Sequence, residues 1–319
     1  MKIMKQKELY FSPEPYWAKL PHPIFFKEAT SVSVDSEDNV YVFNRGDHPL
    51  IIFDKDGNFI KTMGEGEFIR PHGIEIDSED SLYLVDDLGH FVQKRSKNGD
   101  IIFTIGQKEK PCEWQSGGYF NRPTDITINP DNGDLFITDG YGNSRIHKFD
   151  KTGKHILSWG QPGADEGQFS LPHNITMLGN DKVVMCDREN FRLQVFSLEG
   201  EFISQHHMHR PQAITSLKDN YLLVAEAGTG ADTQIGVPNL GLSVKVLDYD
   251  FNLVTSFGDE QEGEGADQFI SPHGISVDSN GSVYVAEVSY TNWSKRNDID
   301  LNNGREPISF RKWNMIKSL

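Results

Sequence analysis

The chain has 319 residues, enough for one large core, and carries 47 acidic against 31 basic residues, a formal net charge of −16. That balance, with no basic run, excludes a nucleic-acid backbone surface, and no apolar stretch is long enough to span a membrane as a helix. Only Cys112 and Cys186 are present and Met1 to Glu8 lack the apolar core of a signal peptide, so a cytoplasmic protein is expected.

Along the chain, apolar residues alternate in short runs of strand type. A first unit opens at Thr30, passes Val32 and Val34, and continues through Val40-Tyr41-Val42-Phe43. His72 opens a second, with Ile74, Ile76 and then Leu82-Tyr83-Leu84-Val85-Asp86. Thr124, His173, Gln212 and His273 open four more, ending in Leu135 to Asp139, Val183 to Asp187, Leu222 to Glu226 and Val283 to Glu287. A period of roughly 40–50 residues built from alternating strands is that of a propeller, not of a helical solenoid. Asp56-Gly57, Asn98-Gly99, Thr152-Gly153 and Glu199-Gly200 mark tight hairpins within the units. No long amphipathic helix is predicted.

The expected fold is therefore all-β: residues 1–319 as a single six-bladed β-propeller, each blade four antiparallel strands packed against its neighbours. Segments 8–24 and 290–319 are expected to close or extend the ring. After Glu287 the last blade is one strand short, and Tyr16-Trp17-Ala18-Lys19-Leu20 is expected to supply it. The stretch Gly228 to Leu240 reads as an inserted loop.

Three of the six units open with histidine at the same register, in Pro71-His72-Gly73, Pro172-His173-Asn174 and Pro272-His273-Gly274. They are alternate units, so in a closed ring the three imidazoles point at the axis from directions about a third of a turn apart. Three converging imidazoles with an open fourth side suit a catalytic zinc ion, although iron, copper, nickel or manganese would accept the same ligands. His206, His207 and His209 lie in a turn before the fifth unit, outside this register, and are expected to be solvated.

The loops after each second strand face one end of the ring. They bring Arg45, Tyr141, Arg188 and Asn190 to the channel mouth, where an arginine can grip a carboxylate and a tyrosine can exchange a proton. Position alone leaves Arg45, Arg188 and Tyr141 open to a purely structural reading as well. Arg145 and Arg192 read as partners in blade-edge ion pairs.

The string Arg45-Gly46-Asp47-His48, Pro71-His72-Gly73, Pro123-Thr124-Asp125, Asp139-Gly140-Tyr141, Asn143-Ser144-Arg145, Pro172-His173 and Asp187-Arg188-Glu189-Asn190 resembles the peptidyl-α-hydroxyglycine α-amidating lyases. These are a branch of the NHL-repeat propellers, and the likeness runs from about residue 28 to 290. The resemblance implies zinc on His72, His173 and His273, a base at Tyr141, and Arg45 and Arg188 lining the substrate site. It also implies a lyase cleaving a carbinolamide to an amide and glyoxylate. A cytoplasmic, bacterial-type member would act on a small carboxylate, with Asn190 a further contact.

Two departures stand out. The family's aspartate after the third histidine, which helps hold a structural calcium, is Gly274 here, so the resemblance does not carry that calcium over. The cysteine beside the family's tyrosine is replaced by Gly142, which removes its disulfide. Two other readings remain: a lactonase-type hydrolase on the same fold, whose resemblance is to sites of Glu, Asn and Asp around one cation, and a non-enzymatic binding platform. Oligomeric state is not encoded in any feature of the sequence.

Overall fold

The computed structural model describes residues 9–218, 220–228, 241–259, 261–297 and 306–317. It contains six four-stranded antiparallel sheets. Their innermost strands are Ala29–Val34, Pro71–Ile76, Asp125–Ile128, Pro172–Leu178, Pro211–Leu217 and Pro272–Val277. Each inner strand packs against the next, and the last meets the first, so the sheets form a closed ring of six blades. The alternation read from the sequence explains the packing: one set of side chains from each blade meets the opposing set of its neighbour. Six hydrophobic clusters result among the described residues, one at each blade interface.

The sixth blade is closed from within the expected segment 8–24, but by a stretch that precedes Tyr16 to Leu20. Leu9–Glu14 forms its outermost strand, paired antiparallel with Phe310–Lys317, from Leu9 opposite Lys317 to Glu14 opposite Lys312. Tyr16 to Leu20 instead crosses to the first blade. Lys19 bridges to Asn58, and the Lys19 N–H donates to the Gly57 carbonyl at 2.9 Å. Trp17 is buried at 5% exposure among Phe53, Tyr284 and Phe310, so it seals the seam where the ring closes. Gly57 is required there: its φ is +79° and a Cβ would come within 2.0 Å of the Trp17 carbonyl oxygen. Trp17→Ala should lower stability by about 3–5 kcal/mol, read as a shift of the denaturant midpoint.

A nine-residue helix, Ser289–Asn297, follows the sixth blade's second strand, within the segment expected to close or extend the ring. The inserted segment Gly228 to Leu240 falls, after its first residue, outside the described residues.

A repeated device positions the axial end of each blade. The second strand ends in Asn44, Asp86, Asp139, Asp187, Glu226 or Glu287, and each side chain accepts backbone N–H groups from the loop entering the inner strand. Asp86, for example, takes those of Ile69 (2.5 Å) and Arg70 (2.9 Å). A buried carboxylate satisfied this way fixes where the following residues start, including Pro71 and His72. Arg192 bonds Asp187 at 2.8 Å, the ion pair expected of it, whereas Arg145 makes none among the described residues and lies beside Gly117.

Candidate metal centre

His72, His173 and His273 meet at the axis. They are buried at 2%, 1% and 4% exposure, and one ligand atom from each lies within 4.8 Å of the other two. Their ring centroids are 4.6–5.0 Å apart.

The intervening blades hold the rings in place. His72 Nδ1 is 2.6 Å from the Thr124 carbonyl oxygen, His173 Nδ1 is 2.7 Å from that of Gln212, and His273 Nδ1 is 2.7 Å from that of Thr30. A carbonyl oxygen only accepts, so each Nδ1 carries the proton and donates it. Each Nε2 is then an unprotonated lone pair. Thus the residues that replace histidine in alternate units fix the tautomer of the histidine in the preceding unit.

Gly73 and Gly274 permit this approach. A Cβ at Gly73 would stand 2.9 Å from the Thr124 carbonyl oxygen, and one at Gly274 would stand 2.7 Å from that of Thr30.

Burial, before any other cause, holds all three imidazoles well below the usual histidine range, and nearby arginine charges and histidine neighbours push the same way. Three neutral rings turning lone pairs towards one another repel unless something electron-poor lies between them. That donor set fits a divalent transition metal, with each Nδ1–H held as metal-ligating imidazoles are commonly held. Such an ion would sit on the three Nε2 atoms.

Tyr141 stands over this centre, its hydroxyl 3.0 Å from His72 Nε2 and 3.4 Å from His173 Nε2. The Arg122 guanidinium lies 4.4 Å from the centroid of the Tyr141 ring and that of Arg188 lies 6.0 Å from it.

Arg45 and Arg188 each have an acidic partner. Arg45 Nη1 donates to Glu28 at 2.9 Å and its Nε to the Pro71 carbonyl at 3.1 Å, while Arg188 Nε donates to Glu189 at 2.8 Å. With side chains only 12% and 11% exposed, both need that counter-charge. Arg188 still keeps both terminal NH2 groups unbonded among the described residues, so its fork is open to a ligand. Asn190 gives its amide nitrogen to Gly163 and Asp187, leaving only its acceptor oxygen for a ligand.

Sequence reasoning missed Arg70, Arg122 and Arg210. All three occur in an Arg-Pro pair at the entrance to an inner strand, a signal that was readable.

The histidines outside the register divide. His206 and His207 end the strand Phe202–His207 rather than lying in a turn; His206 stacks on Phe251 with centroids 3.8 Å apart and is packed, while His207 is exposed as expected.

On the inner strand of the second blade and near Asp125 of the third, the half-buried Glu75 makes no hydrogen bond or ion pair among the described residues, and desolvation pushes its carboxyl up to about 8. Between the ordinary value of 4.5 and about 8, the native protein holds a proton that the unfolded chain has released. Stability contributed by this group therefore falls as pH rises through that window. Glu75→Gln should match the parent near pH 4.5 and exceed it above pH 8, by on the order of 1 kcal/mol because the half-buried carboxyl still reaches solvent, in denaturant titrations at both pH values.

An NHL repeat model matches residues 120–149 and 269–293, and a 6-bladed beta-propeller model matches residues 26–94. NHL repeat-containing protein 3 of Homo sapiens is 30% identical over 85% of this chain and 80% of its own length. The chain belongs to the NHL-repeat propeller family.

Among enzymes, peptidyl-glycine alpha-amidating monooxygenase B of Xenopus laevis is 26% identical over 82% of this chain. Peptidyl-alpha-hydroxyglycine alpha-amidating lyase 1 of Drosophila melanogaster is 33% identical over 54% of the chain. The NHL-repeat chain spans 33% and 34% of the length of these two relatives. In fold it is similar to a streptogramin B lyase (TM-score 0.59, 15% identity, 97% of this chain and 98% of that one). It is also similar to a gluconolactonase of Xanthomonas campestris (TM-score 0.61, 9% identity, 91% and 87%).

Proposed function

We propose that this protein is a metal-dependent lyase that cleaves an N-acyl-α-hydroxyglycine, R-CO-NH-CH(OH)-COO⁻, or a closely related α-hydroxy carboxylate. The products are an amide and glyoxylate. It would act in the cytoplasm on small molecules, with neither nucleic acid nor membrane as partner, in keeping with a net charge of −16.

The observation that carries the reading is the convergence of three Nε2 lone pairs beneath the Tyr141 hydroxyl. Homology to hydroxyglycine amidating lyases supports it. A divalent ion held by His72, His173 and His273, zinc by default for such a set, would supply Lewis acidity at that point.

The chain's own residues do the rest. With the histidine lone pairs engaged, the Tyr141 hydroxyl has no ring nitrogen to donate to and is free to exchange a proton with a ligand. Its oxygen takes the proton of the substrate's α-hydroxyl as its own proton passes to the departing amide nitrogen, so the phenol ends as it began. The carbon–oxygen double bond forms as the carbon–nitrogen bond breaks, and the bonding pair leaves on nitrogen, where that proton is received. Atoms balance as one amide and one glyoxylate. The open fork of Arg188 receives the carboxylate and so aims the bond that breaks, with Arg45 beside it as a second cation.

The test is release of benzamide and glyoxylate from α-hydroxyhippurate above the spontaneous rate. A lactonase would instead open lactones with the same preparation, and three imidazoles in place of oxygen ligands argue against that outcome. A binding platform would do neither.

A further inference from the structure

The channel mouth holds more positive charge than a single carboxylate needs. On one side, Arg210 grips Glu189 through two nitrogens, at 2.8 and 3.2 Å, which neutralises that pair and leaves the Arg188 fork as a surplus cation. On the other side stands Asp87, whose side chain is fully buried. Three guanidinium groups surround it without reaching it: Arg70 at 3.5 Å, Arg122 at 3.7 Å and Arg45 at 3.9 Å.

Neither Asp87 oxygen has a hydrogen-bond partner, and the buried Arg45 Nη2 and Arg122 Nε also lack one. Glu28 balances Arg45, so Arg70 and Arg122 share the one charge of Asp87 and a second cation is left over. Both reach solvent, with side chains 30% and 28% exposed. Surplus buried charge is costly, and in a protein of net charge −16 it collects here at the mouth.

We propose that Arg70 and Arg122, braced on Asp87, form a second anion subsite, and that the substrate is a diacid: one carboxylate on the α-carbon for Arg188, the other at the far end of the acyl group for Arg70 and Arg122. This rests on the lyase reading for its chemistry but not for its binding.

The experiment measures binding, without turnover, by calorimetry on the zinc-loaded protein. The probes are N-succinylglycine and N-glutarylglycine, each compared with its terminal monoamide, which has the same shape and one charge less. At least one diacid should bind about tenfold or more tighter than its monoamide. Arg70→Gln leaves Arg122 to balance Asp87, so the preference should fall below about threefold, whereas Arg70→Lys should keep most of it. Equal binding of acid and amide in both pairs overturns the proposal, as does a preference that survives Arg70→Gln in a protein of unchanged metal content. Turnover of the monoacid α-hydroxyhippurate with no diacid preference would sink this subsite alone. Diacid preference without cleavage would sink the lyase reading alone.

Discussion

His173→Ala should abolish stoichiometric metal binding and bring turnover down to the spontaneous rate. The Nε2 atoms of His72, His173 and His273 are the metal-ligand group found among the described residues, and two imidazoles leave a site one ligand short. The loss in metal affinity should exceed the roughly 10–100-fold that removing an outer hydrogen-bond partner costs. The blades should survive. The substitution strands the Gln212 carbonyl that His173 Nδ1 held at 2.7 Å, a cost of about 1–3 kcal/mol, and it also relieves the crowding of lone pairs at the axis. Metal analysis of the purified variant, alongside its circular dichroism, checks both halves. One tightly held metal per chain in the variant would show that the centre lies elsewhere.

Tyr141→Phe should separate chemistry from binding. The ring remains between Arg122 and the histidines, so packing is kept, but the hydroxyl 3.0 Å from His72 Nε2 is gone. With no group to carry the proton from the α-hydroxyl to the departing nitrogen, kcat should fall by roughly 10²–10⁴. KM should move only a few-fold because the arginines stay, and metal content should be unchanged. A fall in kcat of less than about tenfold would remove Tyr141 from the proton transfer and leave the histidine centre standing.

The ring and the histidine register were readable because both rest on side chains that repeat: period-two alternation for the strands, and Pro-His at one register in alternate units. What escaped was written in other terms. The carbonyls of Thr30, Thr124 and Gln212 that orient the histidines are backbone groups, so no side-chain pattern announces them. Pairing of Leu9–Glu14 across the closure was obscured by Pro13 and by the stronger apolar signal of Tyr16 and Trp17, which serves the seam instead. The helix Ser289–Asn297, reading Ser-Tyr-Thr-Asn-Trp-Ser-Lys-Arg-Asn, lacks the apolar stripe that marks most helices. Arg45 and Arg188 were placed at the mouth, but their pairing with Glu28 and Glu189 depends on neighbours 17 residues away in one case and adjacent in the other. Spacing alone distinguishes neither from a surface ion pair.

The most direct test is a metal titration of activity. Protein stripped by a chelator is given zinc stepwise, and glyoxylate formation from α-hydroxyhippurate is followed against the spontaneous rate. The account predicts no acceleration in the stripped protein, a rate that rises linearly with zinc, and a break at one ion per chain. Acceleration that is independent of metal, or none at full occupancy of the three histidines, would contradict it.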